Sequence, residues 1–170
     1  MFRTTLFVLS KSLSRSFILQ RAFFILLFSN LSCKVAAQNT KIDSLKSILH
    51  SVIHDSSHVN LLIELSYHYE NYKPDKALLL AQQGLMLARK IDYAPGQASC
   101  LNMIGLVFMT TGNYPQALEY LLQSLKASEA LHDEPSVAAV LENIGVTYAQ
   151  QQDYRLGVNY QLQALPLNRS

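Results

Sequence analysis

The sequence predicts an all-α fold, an α-solenoid built from antiparallel helix-turn-helix repeats. Three observations predict it. Residues 101–108 and 141–148 share one pattern of apolar, glycine and aromatic residues at an interval of 40. Prolines at intervals of 21, 20 and 20 residues mark helix starts (Pro74, Pro95, Pro115 and Pro135), because proline suits the first turn of a helix and costs about 3 kcal/mol inside one. Between the prolines, apolar residues recur with helical spacing.

The repeated pattern is visible in three copies, each with two large apolar residues, a small residue and an aromatic residue. The matching positions are Leu62, Leu65, Ser66 and Tyr69, then Leu101, Ile104, Gly105 and Phe108, then Leu141, Ile144, Gly145 and Tyr148. A glycine inside a helix costs about 1 kcal/mol relative to alanine. We therefore expect the glycines to serve a close approach of two paired helices, with Ser66 replacing glycine in the first copy.

These signals divide the chain into elements and domains. The predicted helices are 58–71 and 74–91, 95–111 and 115–131, and 135–151 and 154–165, preceded by a separate helix at 41–54. Residues 38–57 then form an N-terminal helical segment, and residues 58–167 form about three repeats, at 58–94, 95–134 and 135–167. Pro166 should end the last helix near Leu165. Leu162, Leu165 and Leu167 would then lack a following helix, which indicates either a truncated relative of a longer protein or a partner that covers this end.

Residues 1–37 have the composition of a secretory signal peptide. They carry five basic residues and no acidic one, an apolar stretch at 22–31, and the small residues Val35, Ala36 and Ala37 before Gln38. The uncharged run at 22–33 would reach about 18 Å as a helix, against a hydrocarbon core of roughly 30 Å. We therefore expect a protein exported to the periplasm, with residues 22–33 as an inner-membrane anchor in the alternative. Lipidation of Cys33 is a further alternative, although Asn30 departs from the usual lipobox.

The composition excludes several classes of function. Residues 38–170 carry 9 basic and 12 acidic residues, so they lack the positive charge of a nucleic-acid-binding surface. Phosphate loops, paired cysteines, serine elbows and zinc-protease motifs are all missing from the sequence. We therefore predict no enzymatic activity and no cofactor. Cys100 has apolar neighbours and is expected to be a buried side chain.

Two sets of side chains could carry chemistry but have simpler interpretations. His50, His54 and His58 follow one another at intervals of four and could bind a transition metal on a continuous helix. Asp55 and the two serines after it instead indicate a new helix start, which leaves the histidines as exposed polar residues. The tyrosines at repeat-equivalent positions could form an aromatic binding strip, but packing between helices is the simpler interpretation (Tyr114 with Tyr154, Tyr120 with Tyr160).

The repeats resemble those of the tetratricopeptide repeat family. The pattern of this family begins with a large apolar residue, followed by leucine-glycine and an aromatic residue, and later has a small residue before another aromatic one. The second repeat matches it at Leu101, Ile104, Gly105, Phe108 and Ala117, and the third at Leu141, Ile144, Gly145, Tyr148 and Gly157. The period of 40 rather than 34, the missing tryptophan and Gln161 in place of an aromatic residue are departures. Longer repeats of this kind are similar to those of exported bacterial proteins. The resemblance implies a right-handed superhelix with a concave surface lined by the first helix of each pair.

This resemblance implies a non-catalytic scaffold that binds a protein or peptide of unknown identity in a concave groove. The alternative is a truncated sensory N-terminal region of a bacterial membrane signalling protein, of the histidine kinase or helix-turn-helix regulator type. Nucleic acid is not an expected partner, and a membrane is one only if the N-terminal segment is retained. The groove has no lysine or arginine, and we expect an apolar, slightly acidic segment or helix as ligand. The predicted contacts are Asn60, Ile63, Tyr67, Glu70, Asn71, Ser99, Asn102, Leu106, Met109, Glu142, Val146 and Gln150.

Overall fold

The computed structural model describes residues 41–45 and 55–167. By its backbone contacts the chain divides into two units, Met1–Asp43 and Ser44–Ser170. Residues 41–45 are helical and fall inside the helix predicted at 41–54, whose remaining residues lie outside the described part. Every regular element between residues 55 and 164 is an α-helix. They are α1 (Ser56–Tyr69), α2 (Pro74–Lys90), α3 (Ala94–Thr110), α4 (Tyr114–Ala130), α5 (Glu134–Gln150) and α6 (Tyr154–Ala164).

Helix ends follow the prolines and a few acidic caps. Pro74 is the first residue of α2, and the three later prolines are each the second residue of a helix. The largest shift is at α1, which begins and ends two residues earlier than predicted. Asp55 causes the early start, because its carboxylate accepts hydrogen bonds from the backbone N–H groups of Ser57 at 2.9 Å and His58 at 3.2 Å. Asp133 caps α5 in a similar way, accepting from the backbone N–H of Ser136 at 3.2 Å.

The turns after α2, α3, α4 and α5 repeat one geometry every 20 residues. Each contains one residue with positive φ, namely Asp92 (54°), Gly112 (78°), His132 (52°) and Gln152 (67°). In the third turn, the N–H of Asp133 donates to the Ser128 carbonyl at 3.1 Å, and the N–H of His132 donates to the Glu129 carbonyl at 3.0 Å. This pair of bonds is the Schellman motif, which satisfies the last carbonyls of a helix and reverses the chain. Three of the four residues are not glycine, so the motif was not apparent in the sequence.

The helices stack in chain order. Each of the six packs against the next, α1 also touches α3, and α3 also touches α5. No other pair among these six helices is in contact. Such neighbour-only packing defines a solenoid and confirms the all-α class predicted from the repeats. The right-handed sense of the superhelix stays a prediction.

The repeated small residue is the point where the two helices of a pair meet. A β-carbon on Gly105 would lie 2.7 Å from Leu121 Cγ, and one on Gly145 would lie 2.9 Å from the carbonyl oxygen of Gly157. Both distances are shorter than real contacts, so the predicted role of the two glycines is confirmed. In the first pair, the Ser66 hydroxyl at this position donates to the Ala77 carbonyl at 2.8 Å. In this first pair, a hydrogen bond between α1 and α2 replaces the close contact that a glycine makes in the later pairs.

The core lies between successive helix pairs and continues to α6. Leu121 packs with Val140 and Ile144 across α4 and α5. Two aromatic pairs stack inside the second and third helix pairs, Phe108 on Tyr120 with centroids 5.6 Å apart and Tyr148 on Tyr160 at 5.5 Å. These stacks confirm the packing role predicted for the tyrosines at 120 and 160.

The end of the array is partly closed by its own chain. As Pro166 predicts, α6 ends at Ala164. Leu162 is 60% exposed and Leu165 is 49% exposed, so no described helix covers them, as expected. Leu167 also has no described helix after it, but it is half-buried because it packs against Ala138, Leu141 and Ala164 of its own repeat.

Candidate functional site

A groove of about 520 Å³ runs along one face of the array. Residues of α1, α3 and α5 form its walls, so we call these three the inner helices and α2, α4 and α6 the outer helices. The lining is mostly small or apolar, with polar groups along it. Its residues are Asn60, Ile63, Glu64, Tyr67, Ala98, Ser99, Asn102, Met103, Leu106, Ser124, Ser128, Ser136, Ala139 and Val140.

The structure brings half of the predicted contacts together. Six of the twelve line the groove, namely Asn60, Ile63, Tyr67, Ser99, Asn102 and Leu106. All six belong to α1 and α3. Their role in binding stays a prediction, but their common location follows from the contact between α1 and α3.

The other six predicted contacts lie outside the groove lining. Glu70, only 8% exposed, is the buried cap residue of α1. Asn71 is exposed in the turn that follows. The remaining four lie at the C-terminal end of α3 or on α5, beyond the groove (Met109, Glu142, Val146 and Gln150). On α5 the groove is lined by the N-terminal residues Ser136, Ala139 and Val140, and the binding role predicted for Glu142, Val146 and Gln150 stays a prediction.

Part of the groove is formed by an outer helix, which the sequence analysis missed. Ser124 and Ser128 of α4 are each only 1% exposed, yet both line the groove between α3 and α5. They form its floor. The Ser124 hydroxyl donates to the Ala98 carbonyl at 2.8 Å, whereas the Ser128 hydroxyl has no hydrogen-bond partner. Two small polar residues four apart on an otherwise leucine-rich helix were the available signal.

Amide and aromatic side chains give the groove its hydrogen-bonding capacity. The Asn143 amide donates to Asn102 Oδ1 at 3.0 Å, a bond that joins α3 to α5 across 41 residues. It fixes the Asn102 side chain and leaves the Asn102 amide nitrogen with two donors of its own. Tyr67 is 62% exposed, although large aromatic rings are usually more buried. A ring and a fixed amide on neighbouring helices are suited to contact a peptide backbone.

Charged side chains contribute little to the groove lining. Among the fourteen lining residues, Glu64 is the one charged side chain, and no lysine or arginine is present. The apolar, slightly acidic ligand expected from the sequence stays a prediction.

The other groups considered for chemistry are the Cys100 thiol and the metal-ligating side chains. Burial raises the pKa of the Cys100 thiol to about 12, so the thiol is unreactive near neutral pH. Within residues 41–45 and 55–167, no three metal-ligating side chains meet around a common point. His50 and His54 of the proposed metal site lie outside those residues, as does the whole predicted signal peptide. None of the described helices combines the length and hydropathy needed to span a bilayer.

Comparison with known proteins identifies the repeats. Residues 96–170 match the sequence model of the tetratricopeptide repeat family. No curated protein sequence is significantly similar to the chain. Several solved structures share the fold at sequence identities below 25%.

Three of these structures show the range of the fold. The tetratricopeptide repeat domain of Arabidopsis FLU is 16% identical with a TM-score of 0.58, and the match covers 64% of this chain and 92% of FLU. A Rap protein in complex with Competence and Sporulation Factor is 20% identical with a TM-score of 0.70, covering 79% of this chain but only 39% of Rap. A kinesin light chain from Podosopora anserina is 18% identical with a TM-score of 0.59, covering 78% and 69%. The helix pairs of this chain therefore share the fold of tetratricopeptide repeats, and residues 96–170 also match the family's sequence model.

Proposed function

We propose that this protein is a non-catalytic scaffold that binds an extended peptide segment in the groove between α1, α3 and α5. The repeat fold itself indicates a protein–protein interaction role. The observation that carries the finer proposal is the groove of about 520 Å³, in which an exposed ring and a fixed amide face a small-residue floor. The Rap structure, which shares this fold, holds Competence and Sporulation Factor. That likeness supports a peptide ligand without identifying it.

The chemistry of the groove suits a partly apolar segment that is recognised through its backbone. Ile63, Leu106 and Met103 supply apolar contacts, and Asn60 and Asn102 can both donate to and accept from a peptide backbone. Backbone recognition of this kind tolerates different sequences.

A peptide selection tests this proposal. A display library of random decapeptides is selected on the purified protein, and the best binders are synthesised with capped ends and measured by fluorescence anisotropy. Asn102→Ala with Tyr67→Ala should weaken binding by about 100-fold, since each contact contributes roughly 1–2 kcal/mol. Met86→Ala is the matched control, because Met86 is 63% exposed on the outer helix α2. Equal affinity of the groove variant and the control would reject the groove as the site.

We further propose that the protein is exported. The support is the order of basic, apolar and small residues within residues 1–37. Sequencing the N-terminus of the mature protein should find Gln38 first. A protein that begins at Met1 and remains with the membrane fraction would instead support the anchor alternative at 22–33. The sensory-region hypothesis stays a prediction as well.

A further inference from the structure

One hydroxyl group in the floor of the groove is not used by the fold. Ser128 is 1% exposed, and its hydroxyl has no hydrogen-bond partner within the described part of the chain. The other three serines that line the groove donate their protons to acceptors within the chain, at distances of 2.7 to 3.0 Å (Ser99, Ser124 and Ser136). A buried hydroxyl without a partner destabilises the folded protein, so its presence needs an explanation.

Comparison between repeats shows that the packing does not require this hydroxyl. The equivalent residue, 40 positions earlier on α2, is Ala88, which is fully buried. An alanine therefore fills this position, leaves no polar group to satisfy and favours the helix more than serine does. Residues that break such a local rule without helping the fold are most often found at functional sites.

Ser128 lies where the floor of the groove meets the start of α5. The backbone N–H of Asp133 donates to the Ser128 carbonyl at 3.1 Å, and the Asp133 carboxylate accepts from the Ser136 hydroxyl at 2.7 Å. Ser124 lies one helical turn before Ser128 on the same face of α4. All three serines line the groove, and we call Ser124, Ser128 and Ser136 the serine cluster.

The serine cluster offers a specific set of hydrogen-bonding groups. Ser128 can donate one proton, whereas the hydroxyls of Ser124 and Ser136 have already donated theirs and keep only oxygen lone pairs that accept. The complementary ligand group has one acceptor and two donors, which is the set that a primary carboxamide carries. An ammonium group has no acceptor for the Ser128 proton. A carboxylate would be buried there without a cation, since neither lysine nor arginine lines the groove.

We infer that the serine cluster is a subsite for the carboxamide side chain of an asparagine or glutamine residue in the bound peptide. This inference rests on the proposed peptide groove and names the side chain that its floor selects. Because Ser128 is shielded from water in the free protein, its hydroxyl loses little hydration when the ligand binds. A hydrogen bond formed there therefore contributes more to affinity than one formed at an exposed site.

The selection of random decapeptides on the purified protein also tests this subsite. We expect the best binders to share an asparagine or glutamine at one position. Replacing that asparagine by leucine, or that glutamine by methionine, keeps the approximate size of the side chain and removes its amide. Fluorescence anisotropy should then show binding about tenfold weaker to the wild-type protein. On Ser128→Ala the two peptides should bind within about twofold of each other, because the donor is missing.

Ser66→Ala is the matched control for this comparison. Ser66 is also buried, but it lies outside the groove lining, and its hydroxyl donates to the Ala77 carbonyl. This variant should keep the tenfold difference between the two peptides. Circular dichroism verifies that both variants fold. Since Ser128→Ala removes an unsatisfied group, a lost preference for the carboxamide cannot be the result of unfolding.

The outcomes separate the subsite from the groove. Binders that share no carboxamide, or a tenfold difference that persists in Ser128→Ala, would overturn the subsite and leave the groove in place. A shared serine or threonine instead of a carboxamide would also refute it. If no selected peptide loses affinity for Asn102→Ala with Tyr67→Ala, the groove itself is refuted, and the subsite with it.

Discussion

Replacing Ser128 by alanine should stabilise the protein. Its hydroxyl is enclosed in the floor of the groove, the residue is 1% exposed, and the oxygen has no hydrogen-bond partner. Leaving a buried hydroxyl unsatisfied costs about 1–3 kcal/mol, and alanine also has the higher helix propensity. Ala88, the equivalent residue one repeat earlier, is fully buried, so an alanine methyl fits this position. We expect Ser128→Ala to raise the free energy of unfolding by about 1–2 kcal/mol.

Ser124→Ala is the matched comparison, since this serine is equally buried and one turn away. Its hydroxyl donates to the Ala98 carbonyl at 2.8 Å, so its removal should lower the free energy of unfolding by about 1 kcal/mol. Urea unfolding followed by circular dichroism at 222 nm measures both variants, with the m-value checked for constancy. The two substitutions should move the midpoint in opposite directions. A loss of stability in Ser128→Ala as large as that in Ser124→Ala would refute the reasoning.

Three further substitutions test packing, turns and burial. Gly145→Ala should lower the free energy of unfolding, measured in urea, by about 1–3 kcal/mol. The reason is that the new β-carbon would lie 2.9 Å from the backbone oxygen of Gly157. Unchanged stability would contradict the close approach of the two helices. His132→Gly should raise the melting temperature. His132 has a positive φ of 52°, and relieving this strain is worth about 1–2 kcal/mol. Glycine also makes the unfolded chain more flexible, but this costs only about 0.4–1 kcal/mol. Burial raises the pKa of the Glu70 carboxyl above its usual 4.5, because the buried site disfavours the charged form. The contribution of Glu70 to stability is therefore fully present below pH 4.5 and is lost as the pH rises through the raised pKa. Glu70→Gln should therefore stabilise the protein at pH 7 and lose that advantage near pH 4, and an equal gain at both would exclude a charge effect.

The regular elements could be predicted because their signals are local. Pro74, Pro95, Pro115 and Pro135 each lie in the first two residues of a helix, since proline is disfavoured elsewhere in it. The glycine positions were equally informative, because a missing side chain inside a helix has few explanations other than close packing. The shifted start of α1 shows the limit, since it depends on the Asp55 carboxylate rather than on hydrophobic spacing.

The groove was only half predictable because it depends on contacts between helices. A helical repeat indicates which residues share a face, but not how far α3 and α5 separate above α4. The groove is lined there by the buried residues Ser124 and Ser128 of α4 and by the N-terminal residues of α5, rather than by Glu142 and Val146. The four Schellman turns were missed for a related reason. Asp92, His132 and Gln152 adopt positive φ because the chain must reverse between consecutive helices, a conformation that only glycine adopts without steric cost.

We expect the inner helices to present the proposed binding surface and to perform no reaction. Nuclear magnetic resonance titration with a selected, capped peptide tests it most directly, by following the backbone amides of all six helices. We predict chemical-shift changes concentrated on α1, α3 and the first turns of α5, with the exposed faces of α2 and α6 unaffected. Changes centred on the outer helices, or conversion of the peptide into a new species during the titration, would contradict the account.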